Sequence, residues 1–371
     1  MNDAAFMRLA LRLAQRGYGT TSPNPMVGAV LVKGGKIIGR GWQRRAGEPH
    51  AEIEALRDAQ KRGHSPRGGT LYVTLEPCCT HGRTPPCTDA IISAGIQKIV
   101  IGATDPNPKH AGKGFKILRR AGIEVVVGIL SDECARLNEA FNHWIVHHTS
   151  FVTVKAAMTL DGKIATASGE SKWITGEKAR AHGLKLRQGS DAILVGINTV
   201  LADDPSLTAR AKMGKPIRRI VLDSQARTPV TAKVVNDEFA ALTTIVVSRR
   251  APKNRVAVLA KKTNVIVAPV SSLSLVTRHS SLNLHWLLKK LGAENVTSLL
   301  VEGGGEVNAS FLLGGRAQRI AFFYAPKILG GRDSHKGVAG DGAKSLGEVV
   351  QLRAVEWRKL GEDLLLTARV A

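Results

Sequence analysis

The stretch from His50 to Cys87 limits what this chain can fold into more than any other. It opens as GEPHAEIEAL (residues 47–56) and closes as LEPCCTHGRTPPC (residues 75–87). Between them lies TLYVTLE (residues 70–76), an apolar run with the composition of a buried strand. Pro49 suits the first turn of a helix, and Ile53, Leu56 and Ala59 continue an apolar stripe at helical spacing. TDAIISA (residues 88–94) predicts a second helix that starts just after Cys87. His50 and Glu52 therefore belong at a helix N-terminus, where side chains reach over the end to a common point. Cys78, directly after Pro77, belongs where a strand gives way to a loop.

That constellation has the chemistry of a catalytic zinc site. Zn²⁺ in such a site takes three protein ligands and leaves one position to water. His50, Cys78 and Cys87 are the candidate ligands. Zinc lowers the pKa of water towards neutrality. Glu52 is the candidate general base that takes the water's proton and returns it to a leaving group. Helix N-termini favour thiolate over thiol, the form in which cysteine ligates. The alternative is a closed structural site with His81 as fourth ligand and Glu52 as a solvated helix residue. The order H-x-E, P-C, C matches a zinc deaminase signature with one departure. Eight residues separate Cys78 from Cys87, where that signature has two.

With PNPMVGAV (residues 23–30) before it and the long loop HGRTPPC within it, this stretch resembles the bifunctional deaminase/reductase family of riboflavin biosynthesis. The resemblance implies an α/β protein of two domains. A cytidine-deaminase-like α/β/α domain is expected over residues 1–147, and a dihydrofolate-reductase-like α/β domain over residues 148–371. Zn²⁺ and NADPH are the implied cofactors. By resemblance Asn24 contacts the pyrimidine and Asp105 and Asn107 contact the sugar, while His81 and Arg83 are candidates for substrate recognition. The plainer readings are a turn cap for Asn24, an Asx turn for Asp105-Pro106-Asn107-Pro108 and a solvated loop residue for Arg83. Gln43 stands where the family usually has a substrate-touching histidine, so the resemblance predicts a substrate contact that cannot become cationic.

The rest of the first half alternates strand and helix: KIVIGAT, GKGFKILRRAG, IEVVVGIL, then a helix near residues 131–146. A hairpin is expected at Gly34-Gly35. The second half carries FVTVKAAMTLDGKIA (residues 151–165), a helix with Arg180, Lys185 and Arg187, and the strands DAILVG, RRIVLDS, TTIVVS, NVIVA and SLLVEGGG. In LVEGGGEVNASFL (residues 300–312) a strand meets three glycines and then a helix. Such glycines let backbone N–H groups close on a phosphate, although the spacing is not G-x-G-x-x-G. Joined to TLDGKIA, W-I-T and TVLADDP, the run resembles the reductase half of the same family. That resemblance implies an NADPH site lined by Met158, Trp173, Thr199, Asp203, Ser224 and the run Gly304, Gly305, Glu306, Val307, Asn308, Ala309 and Ser310. It implies substrate contacts from Ser171, Arg187, Leu207, Arg210 and Glu302. Trp173 as core, Asp203 as a cap and Arg187 as a solvated helix residue are the bland alternatives.

Charge points elsewhere if read alone. Lys and Arg total 53 against 30 Asp and Glu, a net charge of +23, which suggests nucleic acid. The basic residues are dispersed, however, and aromatics are only 4%, too few for the stacking platforms of single-strand binders. Phosphorylated small molecules are the expected partners, with no nucleic acid and no membrane, and a homo-oligomer is expected. The N-terminal run MNDAAFMRLALRLAQRGY has its apolar residues at helical spacing and leads into the fold as an ordinary helix. Four cysteines, three of them in the metal loop, argue for a reducing cytoplasm over a disulfide framework.

Overall fold

The structure, a computed structural model, describes residues 2–81, 85–209, 216–269 and 282–371. Its backbone divides into two compact units, Met1–His148 and Thr149–Ala371.

In the first unit α1 (Asp3–Ala14) precedes the hairpin β1 (Gly28–Lys33) and β2 (Lys36–Trp42), which turns at Gly34-Gly35 as expected. α2 (Ala51–Lys61), β3 (Thr70–Leu75), α3 (Cys87–Ser93), β4 (Lys98–Ala103), α4 (Lys113–Arg120) and β5 (Glu124–Val127) follow. The sheet order is β2-β1-β3-β4-β5, antiparallel around β1 and parallel from β3 to β5. Glycines set the layer spacing. A Cβ at Gly28 would meet the Ala10 carbonyl of α1 at 2.0 Å, and one at Gly41 would meet the Ala51 carbonyl of α2 at 2.1 Å. Gly28 pairs with Trp42 and Gly41 with Ala29, so these two glycines lie on opposite faces. The sheet is thus sandwiched between α1 and α2. The single helix expected near 131–146 is two, α5 (Ser131–Leu137) and α6 (Glu139–His147). Asn138 breaks it because its side chain exchanges two hydrogen bonds with the Met26 backbone, at 2.8 and 2.9 Å.

The second unit runs β6 (Phe151–Thr159), β7 (Lys163–Ala165), α7 (Glu177–Gln188), β8 (Ala192–Gly196), α8 (Ile197–Asp203), β9 (Arg218–Leu222), α9 (Lys233–Asn236) and β10 (Thr243–Ser248). It continues with α10 (Lys253–Ala260), β11 (Asn264–Ala268), α11 (Leu284–Ala293), β12 (Ser298–Val301) and α12 (Gly305–Leu312). β13 (Arg319–Ala325), β14 (His335–Lys336), β15 (Leu352–Leu360) and β16 (Asp363–Val370) lie beyond the runs read from sequence. Nine strands form one sheet in the order β11-β10-β9-β8-β12-β6-β13-β16-β15. The seven from β11 to β13 are parallel, and β16 and β15 add antiparallel pairs at one edge. Alternation along β8 sends Leu194 into a core with Val154, Ile220 and Phe311, and Ile193 and Val195 into a second core with Val221 and Ile245. β8, β9 and β12 end together, which is where an open parallel sheet holds its ligands.

Candidate active sites in the two units

His50 is the N-cap of α2, so its imidazole stands off the helix end while Pro49 lies outside the first turn. Cys78 follows β3 by two residues beyond Glu76, and Cys87 is the first residue of α3, one residue earlier than expected, with Pro86 as its N-cap. His50 Nδ1 lies 3.5 Å from Cys78 Sγ and 3.3 Å from Cys87 Sγ, and all three donor atoms fall within 4.8 Å of one another. Zinc at about 2.3 Å from sulfur and about 2.0 Å from nitrogen, bound tetrahedrally, would space its N and S donors about 3.6 Å apart. The donor set and its spacing therefore fit a zinc ion. The Cys78 thiol is drawn down to about 4, first by its hydrogen bond with Cys87 and then, against burial, by His50, while Cys87 is pushed up as the proton-holding partner. Cys79 points elsewhere, its sulfur 3.6 Å from His110 Nδ1.

Glu52, one residue into α2, is 3% exposed and lies close enough to His50, Cys78 and Cys87 for all three to act on its carboxyl. Burial pushes its carboxyl up, opposed by His50. A solvated helix residue would be exposed, so that alternative reading of Glu52 does not hold. His81 is exposed, and the set of potential metal donors among the described residues holds only His50, Cys78 and Cys87.

Around the donors, Asn24 is half-buried in the loop before β1, held through its N–H to the Thr21 carbonyl. Asp105 is buried just past β4 and accepts the Asn107 N–H at 2.8 Å. Arg83 lies outside the described residues. Gln43 is a correction. It is 2% exposed, and its amide nitrogen donates to the carbonyls of Arg45 (2.8 Å) and Glu48 (3.2 Å). The side chain braces the loop leading to His50 instead of offering a donor to substrate. Arg44 stacks on Trp42 and pairs with Glu54 at 3.4 Å.

In the second unit two cavities, about 680 and 1070 Å³, adjoin at Ile164, Ser171, Thr199, Asp203 and Gly304. The first takes in Ser224, Gly305, Glu306, Val307 and Ser310, and the second Trp173, Arg187, Leu207 and Glu302. α12 begins at this junction with Gly304 as an N-cap that offers no side chain to its leading N–H groups. A Cβ at Gly305 would meet the Lys336 carbonyl at 2.2 Å, so β14 closes onto the glycine run. These uncapped donors, facing a cavity of this size, fit the phosphates of a dinucleotide.

Met158, Asn308 and Ala309 face the core and not the cavities: Met158 packs its sulfur near Gly337, and Asn308 donates to the Gly337 carbonyl at 2.8 Å. Arg210 lies outside the described residues. Trp173, 66% exposed at the cavity wall, is not core, and the Arg180 guanidinium lies over its ring at 4.7 Å. Ser171 and Lys172 both reach Asp203, at 3.3 and 3.6 Å.

Glu302 accepts two hydrogen bonds from Arg187 and lies 3.6 Å from Lys155 Nζ. Burial would raise its carboxyl, yet Lys155 and Arg187 hold it down at about 2. Lys155 is a cavity residue that motif reading missed. Its signal was a lone charge inside the apolar run FVTVKAAMT. Arg219, fully buried, was also missed: it bonds Asp237, Thr243 and the carbonyls of Ser206 and Val234, pinning the loop that carries Leu207.

A three-donor metal centre with a buried carboxylate, and a parallel sheet whose strand ends open onto a glycine-rich helix start, define a two-unit enzyme, a zinc-dependent deaminase joined to a reductase. Residues 1–103 match the cytidine and deoxycytidylate deaminase zinc-binding region, and residues 150–366 match the RibD C-terminal domain. The chain belongs to the RibD family, the bifunctional deaminase/reductases of riboflavin biosynthesis, with zinc and NADPH as cofactors. It is 44% identical over 367 residues to the riboflavin biosynthesis protein RibD of Aquifex aeolicus, covering 98% of this chain and 97% of that one. It is 39% identical over 382 residues to RibD of Escherichia coli, covering 99% of each. Among solved structures, Acinetobacter baumannii RibD superposes with a TM-score of 0.85 at 34% identity, over 100% of this chain and 99% of that one. The diaminohydroxyphosphoribosylaminopyrimidine deaminase/5-amino-6-(5-phosphoribosylamino)uracil reductase of Thermotoga maritima gives 0.82 at 37% identity, over 100% and 99%.

Proposed function

We propose that the first unit deaminates 2,5-diamino-6-(5-phosphoribosylamino)pyrimidin-4-one and that the second reduces the ribosyl side chain of the product to ribityl. The supporting observation is the pairing, on one chain, of the His50–Cys78–Cys87 triangle beside buried Glu52 with the double cavity at Gly304. Zinc, when held by His50, Cys78 and Cys87, supplies the Lewis acidity that makes water nucleophilic near neutral pH, and NADPH supplies a hydride for C1 of the sugar. Glu52 takes the proton from the attacking water and hands it to the departing ammonia. Its burial suits it to hold a proton between those two transfers. Asn24 reads the ring edge, and Asp105, Asn107 and His81 meet the sugar and phosphate.

In the second unit Ser171, Leu207 and Glu302 contact the substrate. Lys155 and Arg187 keep Glu302 ionised as an acceptor for sugar hydroxyls. Thr199, Asp203, Ser224, Trp173, Gly304 to Val307 and Ser310 form the cofactor side, backed from the core by Met158, Asn308 and Ala309, with the α12 N-terminus turned to the pyrophosphate. We place the deaminase in residues 1–147 and the reductase in 148–371, in a cytoplasmic homo-oligomer. The exposed edge strand β15, with Trp357 outward, supports self-association. No helix among the described residues is long and apolar enough to cross a membrane.

The test is one coupled assay on the full chain, reading ammonia release and NADPH oxidation from the same substrate with zinc content measured. Ammonia without NADPH oxidation would leave the second unit without its assigned reaction. The charge of +23 calls for a companion measurement. Bulk RNA should bind weakly and be lost by about 200 mM salt, and saturable binding that survives would favour a polynucleotide substrate.

A further inference from the structure

The Glu76 carboxylate is 3% exposed and takes no part in the proposed chemistry. It sits between the end of β3 and Pro77-Cys78, and it accepts three backbone N–H groups from the segment that runs past β4 into the first turn of α4. Oε2 receives those of Asp105 (3.2 Å) and Gly112 (2.9 Å), and Oε1 that of Gly114 (3.0 Å). The loop is shaped around it. Gly112 has φ +79°, and a Cβ at Gly114 would lie 3.1 Å from Glu76 Oε1 and 2.7 Å from the Pro77 carbonyl. A second tie runs from the Cys79 N–H to His110 Nδ1 at 3.5 Å. Within the loop, Asn107 accepts the Lys109 N–H, and its carbonyl accepts those of His110 and Ala111. The strand end that delivers Cys78 and the loop that carries Asp105 and Asn107 thus share one buried anion.

We propose that Glu76 is a positioning residue for deamination: it fixes the Asp105–Asn107 turn relative to the metal donors at the place where the substrate's sugar binds. This rests on the reading of Asp105 and Asn107 as sugar contacts. Three donors on two oxygens require an acceptor-only group. Glutamine would offer one oxygen and turn an NH2 on a backbone N–H, so the near-isosteric amide cannot substitute.

The experiment uses the full chain carrying Glu76→Gln, with Gly114→Ala pressing on the same carboxylate from the loop side and Asn107→Ala as the control on the reading. Losing a charge-assisted acceptor should raise the deamination KM by about tenfold or more in Glu76→Gln and leave kcat within about threefold. Zinc content and reductase kinetics on pre-deaminated substrate should stay at wild type, and amide hydrogen exchange across residues 105–114 should accelerate. Gly114→Ala should give the same KM-weighted signature, so the proposal stays falsifiable even if Glu76→Gln fails to fold. Loss of zinc with the reductase intact would make Glu76 a support of Cys78 and overturn the proposal. A fall in kcat at constant KM would overturn it as well. If Asn107→Ala raises KM and Glu76→Gln does not, the positioning role alone fails. If neither moves KM, the sugar-contact reading fails and takes the proposal with it.

Discussion

Arg187 grips Glu302 with two parallel hydrogen bonds, Nε to Oε1 at 2.9 Å and Nη2 to Oε2 at 2.8 Å, and spends Nη1 on the Thr208 carbonyl at 3.1 Å. One guanidinium therefore orients the carboxylate behind β12 and steadies the loop that follows α8. Lysine cannot make this fork. Arg187→Lys and Arg187→Ala should both raise the reductase KM, by about tenfold or more for alanine, because truncation leaves a buried carboxylate short of a partner. Deamination should stay within about twofold of wild type, since every contact named here lies in the second unit. Steady-state kinetics of both half-reactions check this, and a parallel loss of deamination would show that the units are not independent.

The same ion cluster sets an acid limit. The Glu302 carboxyl is depressed from 4.5 to about 2 in the folded chain, despite burial, by Lys155 and Arg187. Because the folded value lies below the unfolded one, its contribution to stability is fully present above about pH 4.5 and is lost as pH falls towards 2. Thermal scans of the wild type should show the second unit's transition falling steeply through that window. Glu302→Gln should start lower near neutrality and fall less steeply there. Equal slopes in the two proteins would remove Glu302 as the cause.

The metal centre was legible in the sequence because its chemistry is local: a helix start, a strand end and a second helix start, each marked by proline or apolar spacing. The hairpin and the parallel strands were legible for the same reason. What stayed hidden depends on partners distant in the chain. Asn138 looks like one more residue in a helix until Met26, 112 positions away, takes up its amide. Glu76 reads as the tail of a strand, and only the folded chain supplies its three donors. Lys155 and Arg219 are charges inside apolar strands, and their cost is offset by Glu302 and Asp237 from other elements. β15 is exposed along nearly its whole length, so no buried face imposes a strand period on it.

Adjacent cysteines should part company. Cys78→Ser removes one corner of the triangle and should lose zinc and ammonia release together. Cys79→Ser alters a thiol whose sulfur contact is His110 and should keep both. Glu52→Gln should retain zinc and lose ammonia release by at least about a hundredfold, since it removes the proton carrier alone. Metal analysis beside the deaminase assay decides. Zinc lost in the Cys79 variant but kept in the Cys78 variant would reassign the ligand.

Gln43 gives the last test, because its neighbours are two acceptors. Its Nε2 donates to the carbonyls of Arg45 and Glu48, so the side chain closes the loop that ends at His50. Gln43→Glu puts a carboxylate against those carbonyls. It should open the loop and speed zinc loss to a chelator by about tenfold, the scale of one buried hydrogen bond exchanged for an unpaired acceptor. Gln43→His is subtler. A neutral imidazole donates through one nitrogen and an imidazolium through both, so this variant should hold zinc more tightly as pH falls through histidine's range. Wild type has no titrating group at this position, so any pH dependence that Gln43→His gains over wild type between about pH 6 and 7.5 belongs to the new imidazole. The measurements are chelator-driven zinc release and deamination KM against pH for all three proteins. If Gln43→Glu releases zinc no faster than wild type, the two carbonyl contacts do not govern the loop. A KM effect without any change in zinc release would restore Gln43 as a substrate contact.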